Sequence, residues 1–393
     1  MGACLQSEMF SSRFEWDFAP NRLTRALQAR RQAGARILDL TESNPTHAGL
    51  DYPPAMAAAF TGPCLWRYDP APSGTPAARE AVSAYYARRG VAIATDRILL
   101  TASTSEAYAY LFKLLCNPGD AVLAPRPSYP LFEFLGRMES IEVHPYPLAY
   151  HGAWSIDLDA LAAAITPRTR AIVLVNPNNP TGSYVQRGEL DALVRAASDR
   201  GLALISDEVF SDYALTPGSR RATTLAEVED CLAFSMSGLS KVAGLPQMKL
   251  GWIVAAGPAE LRRHALERLE WIADTYLSVS TPVQCAAATL LEAGETVQSQ
   301  IRRRTAANLA LASELLAGSA ANILHVEGGW YITLQVPRIR SEEEWALQLL
   351  ESEDVLVQPG FFYDFESEAY LVVSLLTEPS TFREGLTRMR KLL

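Results

Sequence analysis

The chain has 393 residues, 49% of them apolar and 20% charged, and a formal net charge of −9. That composition describes a globular protein with ample core, in two domains or in one large domain with an appended smaller one. The acidic balance, with no basic run long enough to track a phosphate backbone, argues against nucleic acid as a partner.

Five cysteines (Cys4, Cys64, Cys116, Cys231, Cys285) lie scattered, with no C-x-x-C pair, and the five histidines form no H-E-x-x-H. Neither a disulfide framework nor a metal site is expected, and a reducing cytoplasm fits best. The N-terminus has no basic segment followed by an apolar stretch, so no signal peptide is expected. Met1-Gly2-Ala3-Cys4-Leu5-Gln6 approaches a myristoylation signal but carries Gln6 where Ser or Thr is required. No apolar run reaches the length of a membrane span, and a soluble protein is expected.

Residues 1 to about 60 are rich in Pro and Asn, with one helix expected near Asn21 to Gln32. From Arg97 onward strand-like runs alternate with helical patterns. Ile98–Thr101 reads as a strand, Glu106–Cys116 as a helix, Ala121–Ala124 as a strand and Leu131–Met138 as a helix. Ala171–Val175 is an unbroken apolar strand ending in the turn Asn176-Pro-Asn-Asn-Pro-Thr-Gly182. A helix over Glu189–Ser198 leads into the strand Ala203–Asp207, and strands near Leu232–Ser235 and Leu250–Ala255 follow. Apolar strands separated by helices predict a mainly parallel sheet covered on both faces. After about Thr281 the pattern changes. Two helices (Val283–Glu292 and Thr296–Ala317) precede strands within His325–Val336, Val355–Gln358 and Tyr370–Leu376, and a last helix runs from Ser380. The division predicted is an arm and part of a small domain over 1–60, a large domain over 61–281 and a small α+β domain over 282–393.

Only four lysines occur: Lys113, Lys241, Lys249 and Lys391. Lys241 and Lys249 share the run Ser235–Trp252, where Ser237, Gly238, Ser240 and Gly244 leave room beside an amine. Arginine cannot shed its proton at any useful pH, whereas lysine can act as an amine nucleophile and form a Schiff base with a carbonyl compound. Ser103, Thr104 and Ser105 fall between a strand and a helix, where hydroxyls and free N–H groups suit a phosphate and also serve as ordinary caps. The turn Asn176–Gly182 follows a buried strand at the sheet edge where open α/β sheets bind ligands. Asp207 ends a strand at that same edge. Strand alternation sends Asp207 and Glu208 to opposite sides, so one of them faces the site. Tyr129 follows another strand end and suits stacking on a planar ring.

In this order these residues resemble the class I/II aminotransferases of pyridoxal-phosphate fold type I, the family that includes aspartate and kynurenine aminotransferases. The resemblance runs from about Leu38 to the C-terminus, and its most specific pieces are Asn176–Gly182, Ser206-Asp207-Glu208 and Ser240–Trp252. It implies a large domain with a mainly parallel seven-stranded sheet between helices, plus a smaller α+β domain. By that likeness Lys241 is the Schiff-base lysine and proton shuttle, Asp207 binds the ring nitrogen of pyridoxal 5′-phosphate, Asn179 its phenolic oxygen, and Tyr129 stacks on the ring. Ser103, Thr104 and Ser105 hold the phosphate, with Lys249 standing where an arginine is usual. Tyr68 resembles the tyrosine that reaches the neighbouring subunit's phosphate, which implies a homodimer. The reaction implied exchanges an amino group between an amino donor and a keto acid.

Three positions depart from the family. Phe210 replaces a tyrosine bonded to the phenolic oxygen, so that bond is expected to be absent. Gly238 replaces a phosphate-binding serine, for which Ser237 or Ser240 is the available substitute. Val372, in Ala369–Leu376, replaces the arginine that grips the substrate carboxylate, and no Arg or Lys lies between Arg340 and Arg383. Arg22 and Arg67 are the remaining candidates for that grip. The third departure keeps open a lyase, decarboxylase or cyclase on the same scaffold.

Overall fold

An eight-stranded sheet forms the centre of the computed structural model, which describes residues 9–277 and 279–393. The incomplete myristoylation signal and Cys4 lie outside the described residues. In chain order the strands are β1 (Ile98–Thr101), β2 (Ala121–Arg126), β3 (Glu142–Tyr150), β4 (Trp154–Ile156), β5 (Thr169–Val175), β6 (Ala203–Asp207), β7 (Ala233–Gly238) and β8 (Gly251–Ala256). Their spatial order is β1-β8-β7-β6-β5-β2-β3-β4. Pairing is parallel from β7 through β3, while β8 runs antiparallel to both of its neighbours.

The family likeness implies seven strands, and the eighth is β4, a three-residue hairpin partner of β3. β3 itself escapes sequence reading because it contains Pro145 and Pro147. Both prolines lie beyond the reach of β4, which pairs only with Leu148–Tyr150. Their missing N–H groups therefore leave no gap in a ladder, as edge strands allow.

The inner strands are buried on both sides, which explains their unbroken apolar runs. One face packs Ile98, Leu100, Trp252 and Val254 against the helices Pro76–Arg88 and Thr281–Leu316. The opposite face packs Leu99, Val122, Ile253 and Ala255 under the helices Thr104–Leu115 and Ala259–Tyr276.

A second sheet of four antiparallel strands orders Asn322–Ile323, Tyr331–Gln335, Tyr370–Ser374 and Gln358–Pro359. Its core includes Leu334, Leu371, Trp345 and Phe382, together with Leu38 and Leu40 from near the N-terminus. Leu38–Asp39 pairs in parallel with Val355–Leu356.

One continuous helix of 36 residues, Thr281–Leu316, joins the two layers and is about 54 Å long. The sequence predicts two helices here because Ala293-Gly294-Glu295 reads as a break. Gly294 instead marks a close approach, since a Cβ there would come within 2.6 Å of the Cβ of Ala243. The first part of this helix packs Val283, Leu290 and Val297 into the core of the large sheet, and its end packs Ala312 and Leu316 into that of the small sheet.

Candidate active site

The carboxyl ends of β1, β2, β5, β6 and β7 point the same way, and the loops that follow them converge on a cavity of about 230 Å³. Ligands of open α/β sheets bind at this edge. The volume is below the roughly 300–1,000 Å³ of drug-sized sites, so the cavity suits a compact ring rather than a dinucleotide. A wider groove of about 700 Å³ adjoins it and shares Tyr129 and Phe132.

Lys241 projects into the cavity from a single helical turn, Leu239–Val242, just after β7. Its Nζ lies 4.6 Å from the centre of the Trp330 ring and 5.5 Å from that of Phe210. Burial pushes the ammonium down to about 8, with the Asp207 carboxylate pulling the other way. The Tyr213 hydroxyl donates to the Lys241 carbonyl and anchors the turn.

Asp207 ends β6 on the same cavity. Burial raises its carboxyl to about 6, opposed first by the Val209 N–H at 3.2 Å and then by the Tyr108 hydroxyl at 3.4 Å. Glu208 points away, as alternation requires. It accepts from Leu225 N–H and Ser235 Oγ, each at 2.9 Å, inside the protein.

The turn after β5 divides its asparagines between structure and cavity. Asn176 donates to the Ala222 carbonyl at 2.7 Å and accepts from Val185 N–H at 3.0 Å. Asn178 donates to the Pro127 carbonyl at 3.1 Å and to Thr181 Oγ1 at 2.9 Å. Asn179 alone lines the cavity, and its Oδ1 is buried with no partner. An amide can turn over in place, so the same position can present an N–H to a ligand.

Thr104 and Ser105 open the helix Thr104–Leu115 and line the cavity, while the Ser103 hydroxyl is engaged as the N-cap, accepting from Glu106 N–H at 3.1 Å. Tyr129 lines the cavity and is 49% exposed. Ser237 is buried in β7 with an unpartnered hydroxyl and does not line the cavity. Lys249 is exposed, in a left-handed backbone conformation after Pro246–Met248, and also stands outside the lining. Tyr68 is 67% exposed and does not touch its own chain's cavity.

The three departures have structural counterparts. Phe210 lines the cavity with its ring edge-on to Trp330 at 5.2 Å. A Cβ at Gly238 would lie 2.9 Å from the Leu250 carbonyl oxygen, so the close approach of β7 and β8 excludes a serine there unless the backbone moves. Val372 is 1% exposed and pairs in the small sheet with Thr333 and Gln358. Arg22 is drawn away to Glu343 at 2.7 Å, and neither it nor Arg67 lines the cavity.

Sequence reading missed Ser43, Tyr108, Phe132, Trp330 and Tyr331. Tyr108 had a usable signal, since it lies one helical turn after Thr104 on the same face. Phe132 lies only three residues after Tyr129, at the start of the helix Leu131–Met138, whereas Ser43, Trp330 and Tyr331 arrive from distant segments that no local spacing announces.

The donor set fits pyridoxal 5′-phosphate. A helix N-terminus with two hydroxyls suits the phosphate, an unneutralised carboxylate suits a cationic ring nitrogen, and the unsatisfied Asn179 amide suits a phenolic oxygen. Among the described residues no cluster of metal-binding side chains is present, and no helix is long and apolar enough to cross a membrane.

Residues 37–388 match the family described as aminotransferase class I and II. A glutamate-pyruvate aminotransferase, AlaA, of Escherichia coli K12 is 30% identical over 273 residues, which cover 69% of this chain and 67% of that one. The AlaA of Haemophilus influenzae is 26% identical over 372 residues, 92% of each chain. A solved structure of an aminotransferase from Escherichia coli superposes with a TM-score of 0.86 at 25% identity, covering 98% of this chain and 97% of that one.

Proposed function

The chain belongs to the class I and II aminotransferase family, and from that premise we propose that it holds pyridoxal 5′-phosphate in the cavity and moves an amino group from an amino donor to a keto acid. The observation that carries this reading is the meeting of Lys241, Asp207, Asn179 and the start of the Thr104 helix around one small cavity. When bound, the cofactor supplies an aldehyde that takes up amines and a ring that draws electrons from the carbon bearing the nitrogen.

Lys241 Nζ does two things in this reading. With its pKa lowered to about 8, a usable fraction is neutral near physiological pH and can attack an aldehyde. The same nitrogen holds and returns the proton of the substrate's amine-bearing carbon, a task for which a pKa near the working pH is best. Asp207 keeps the ring nitrogen protonated, oriented by Val209 N–H and Tyr108. Thr104, Ser105 and the N–H groups beside them bind the phosphate, and Asn179 donates to the phenolic oxygen. Tyr129 covers one ring face. Ser103, Ser237 and Lys249 complete the phosphate side; the support for Ser237 is its unpartnered buried hydroxyl, and for Lys249 its place just before Leu250, whose carbonyl accepts from Leu239 N–H at 2.9 Å in the lysine turn.

A homodimer belongs to the same reading, with Tyr68 entering the neighbouring site. Its support is a set of large exposed side chains, Trp66 at 89%, Tyr68 at 67% and Trp271 at 75%, which a monomer would leave in water. Cytoplasmic residence is supported by Cys64, Cys116, Cys231 and Cys285 all being free thiols.

Isotope transfer tests the reaction. Holoprotein incubated with a panel of ¹⁵N-labelled amino compounds and a mixture of keto acids should yield ¹⁵N-labelled amino acids. Release of the label only as ammonia would replace transfer with elimination.

A further inference from the structure

We propose that the donor site takes primary amines that carry no carboxylate on the amine-bearing carbon and have an aromatic or other apolar group beyond it. This rests on the aminotransferase reading above. The cavity walls include Tyr108, Tyr129, Phe132, Phe210 and Tyr331, and Lys241 is the only cation among the described lining residues. A carboxylate entering such a space needs a charged, hydrogen-bonding partner, because burying it unpaired is costly.

Among the described residues that line the cavity, no arginine or histidine offers such a partner. Val372 is sealed into the small sheet between Thr333 and Gln358. Gln358 accepts from the Tyr363 hydroxyl through its side-chain oxygen and, being neutral, brings no counter-charge. Tyr331 shares a hydrogen bond with Ser43, and Glu42 and Tyr129 lie within electrostatic reach of it. Burial pushes the Tyr331 phenol up to about 12, so it stays neutral.

The arginines stand outside the cavity lining. Arg126 lines the adjoining groove rather than the cavity and donates through Nε to the Asp364 carbonyl at 2.8 Å, Arg221 pairs with Glu327 at 3.0 Å, and Arg304 is bound to the carbonyls of Ala48 at 2.8 Å and Leu376 at 3.2 Å. With Asp207 engaged by the ring nitrogen, the cavity lining offers an entering carboxylate no counter-charge other than Lys241 itself. The aromatic faces of the lining repel a carboxylate and attract an ammonium group.

Aminooxy compounds test this without knowledge of the natural donor, because they capture the cofactor's aldehyde directly. Protein loaded with pyridoxal 5′-phosphate is mixed with aminooxyacetate or with its uncharged counterpart O-ethylhydroxylamine, each rate being divided by that with free cofactor. In parallel, 2-phenylethylamine and phenylalanine are compared by the rate at which they bleach the visible band. The neutral aminooxy probe should be favoured at least tenfold, and 2-phenylethylamine should outpace phenylalanine. Val372→Arg should shift the aminooxy ratio toward aminooxyacetate; should that variant not fold, the wild-type ratio decides alone. Equal rates, or a preference for aminooxyacetate, overturn the proposal, and loss of that preference in Arg67→Gln would identify the arginine responsible. A protein that never acquires a visible band on loading would sink the cofactor reading itself, a different failure.

Discussion

Asp207 and Lys241 titrate toward each other from opposite ends of the pH scale, and in both cases burial dominates. Each shift records a cost of holding charge in the cavity, which strains the protein until a ligand arrives. The folded protein binds the Asp207 proton more tightly than the unfolded chain, so the contribution of this group to stability is present below pH 3.8 and is lost as pH rises through about 6. Lys241 acts in the other direction: stability gained from its deprotonation grows between about 8 and 10.5. In cofactor-free protein, Asp207→Asn should therefore stabilise at pH 7.5 by about 1–2 kcal/mol, allowing for partial solvation in the cavity. Lys241 is the weakest of the influences named on Asp207, so losing the pair does not reverse the sign. Thermal unfolding at pH 7.5 and 4.5 checks this: the gain should shrink at the lower pH, while cofactor retention falls. A destabilised variant at pH 7.5 would show that the carboxylate is structural.

At the scale of elements, the lysine turn depends on the long helix behind it. Gly294 sits where that helix meets Ala243, two residues past Lys241. Replacing an interior helical glycine with alanine gains about 0.8–1 kcal/mol of helix propensity. Overpacking costs about 1–3 kcal/mol. An added Cβ would lie 2.6 Å from Ala243 Cβ and 3.0 Å from its Cα, so the clash outweighs the propensity gain. Gly294→Ala should thus lower the melting temperature and weaken cofactor retention, whereas a rise in melting temperature would mean the contact relaxes freely. This glycine also shows what sequence conveys and what it hides. Ala171–Val175 and Ala203–Ile205 are legible because strands covered on both faces must be apolar throughout. The Gly294 region reads as a break because a close approach and a helix end look alike in one dimension. Lys241, Asp207 and Asn179 stand out because each follows or ends a strand at the binding edge. Trp330 and Tyr331 do not, since only the docking of the small sheet brings them to the lysine.

For the whole molecule, the proposed homodimer would cover the unburied aromatics Trp66, Tyr68 and Trp271. If Tyr68 completes the neighbouring site, two defects on different chains can be separated by mixing. Dimers formed from Tyr68→Phe and Lys241→Ala chains should regain part of the activity that each homodimer lacks, because one of the two sites is then assembled from intact parts. Activity no higher than the mean of the two parents would confine each site to a single chain. The change of pattern after Thr281 announces a second layer in the sequence itself. Assembly is announced in the sequence only through the resemblance at Tyr68, whereas Trp66 and Trp271 read as ordinary residues until their exposure is known.

Lys241 is one of four lysines, which makes its assignment open to a single chemical test. Protein loaded with pyridoxal 5′-phosphate is reduced with borohydride, digested and examined by mass spectrometry for the phosphopyridoxyl group. The label should fall on Lys241 alone, at about one per chain, and disappear in Lys241→Ala. A label on Lys113, Lys249 or Lys391, or none at all, would contradict the account.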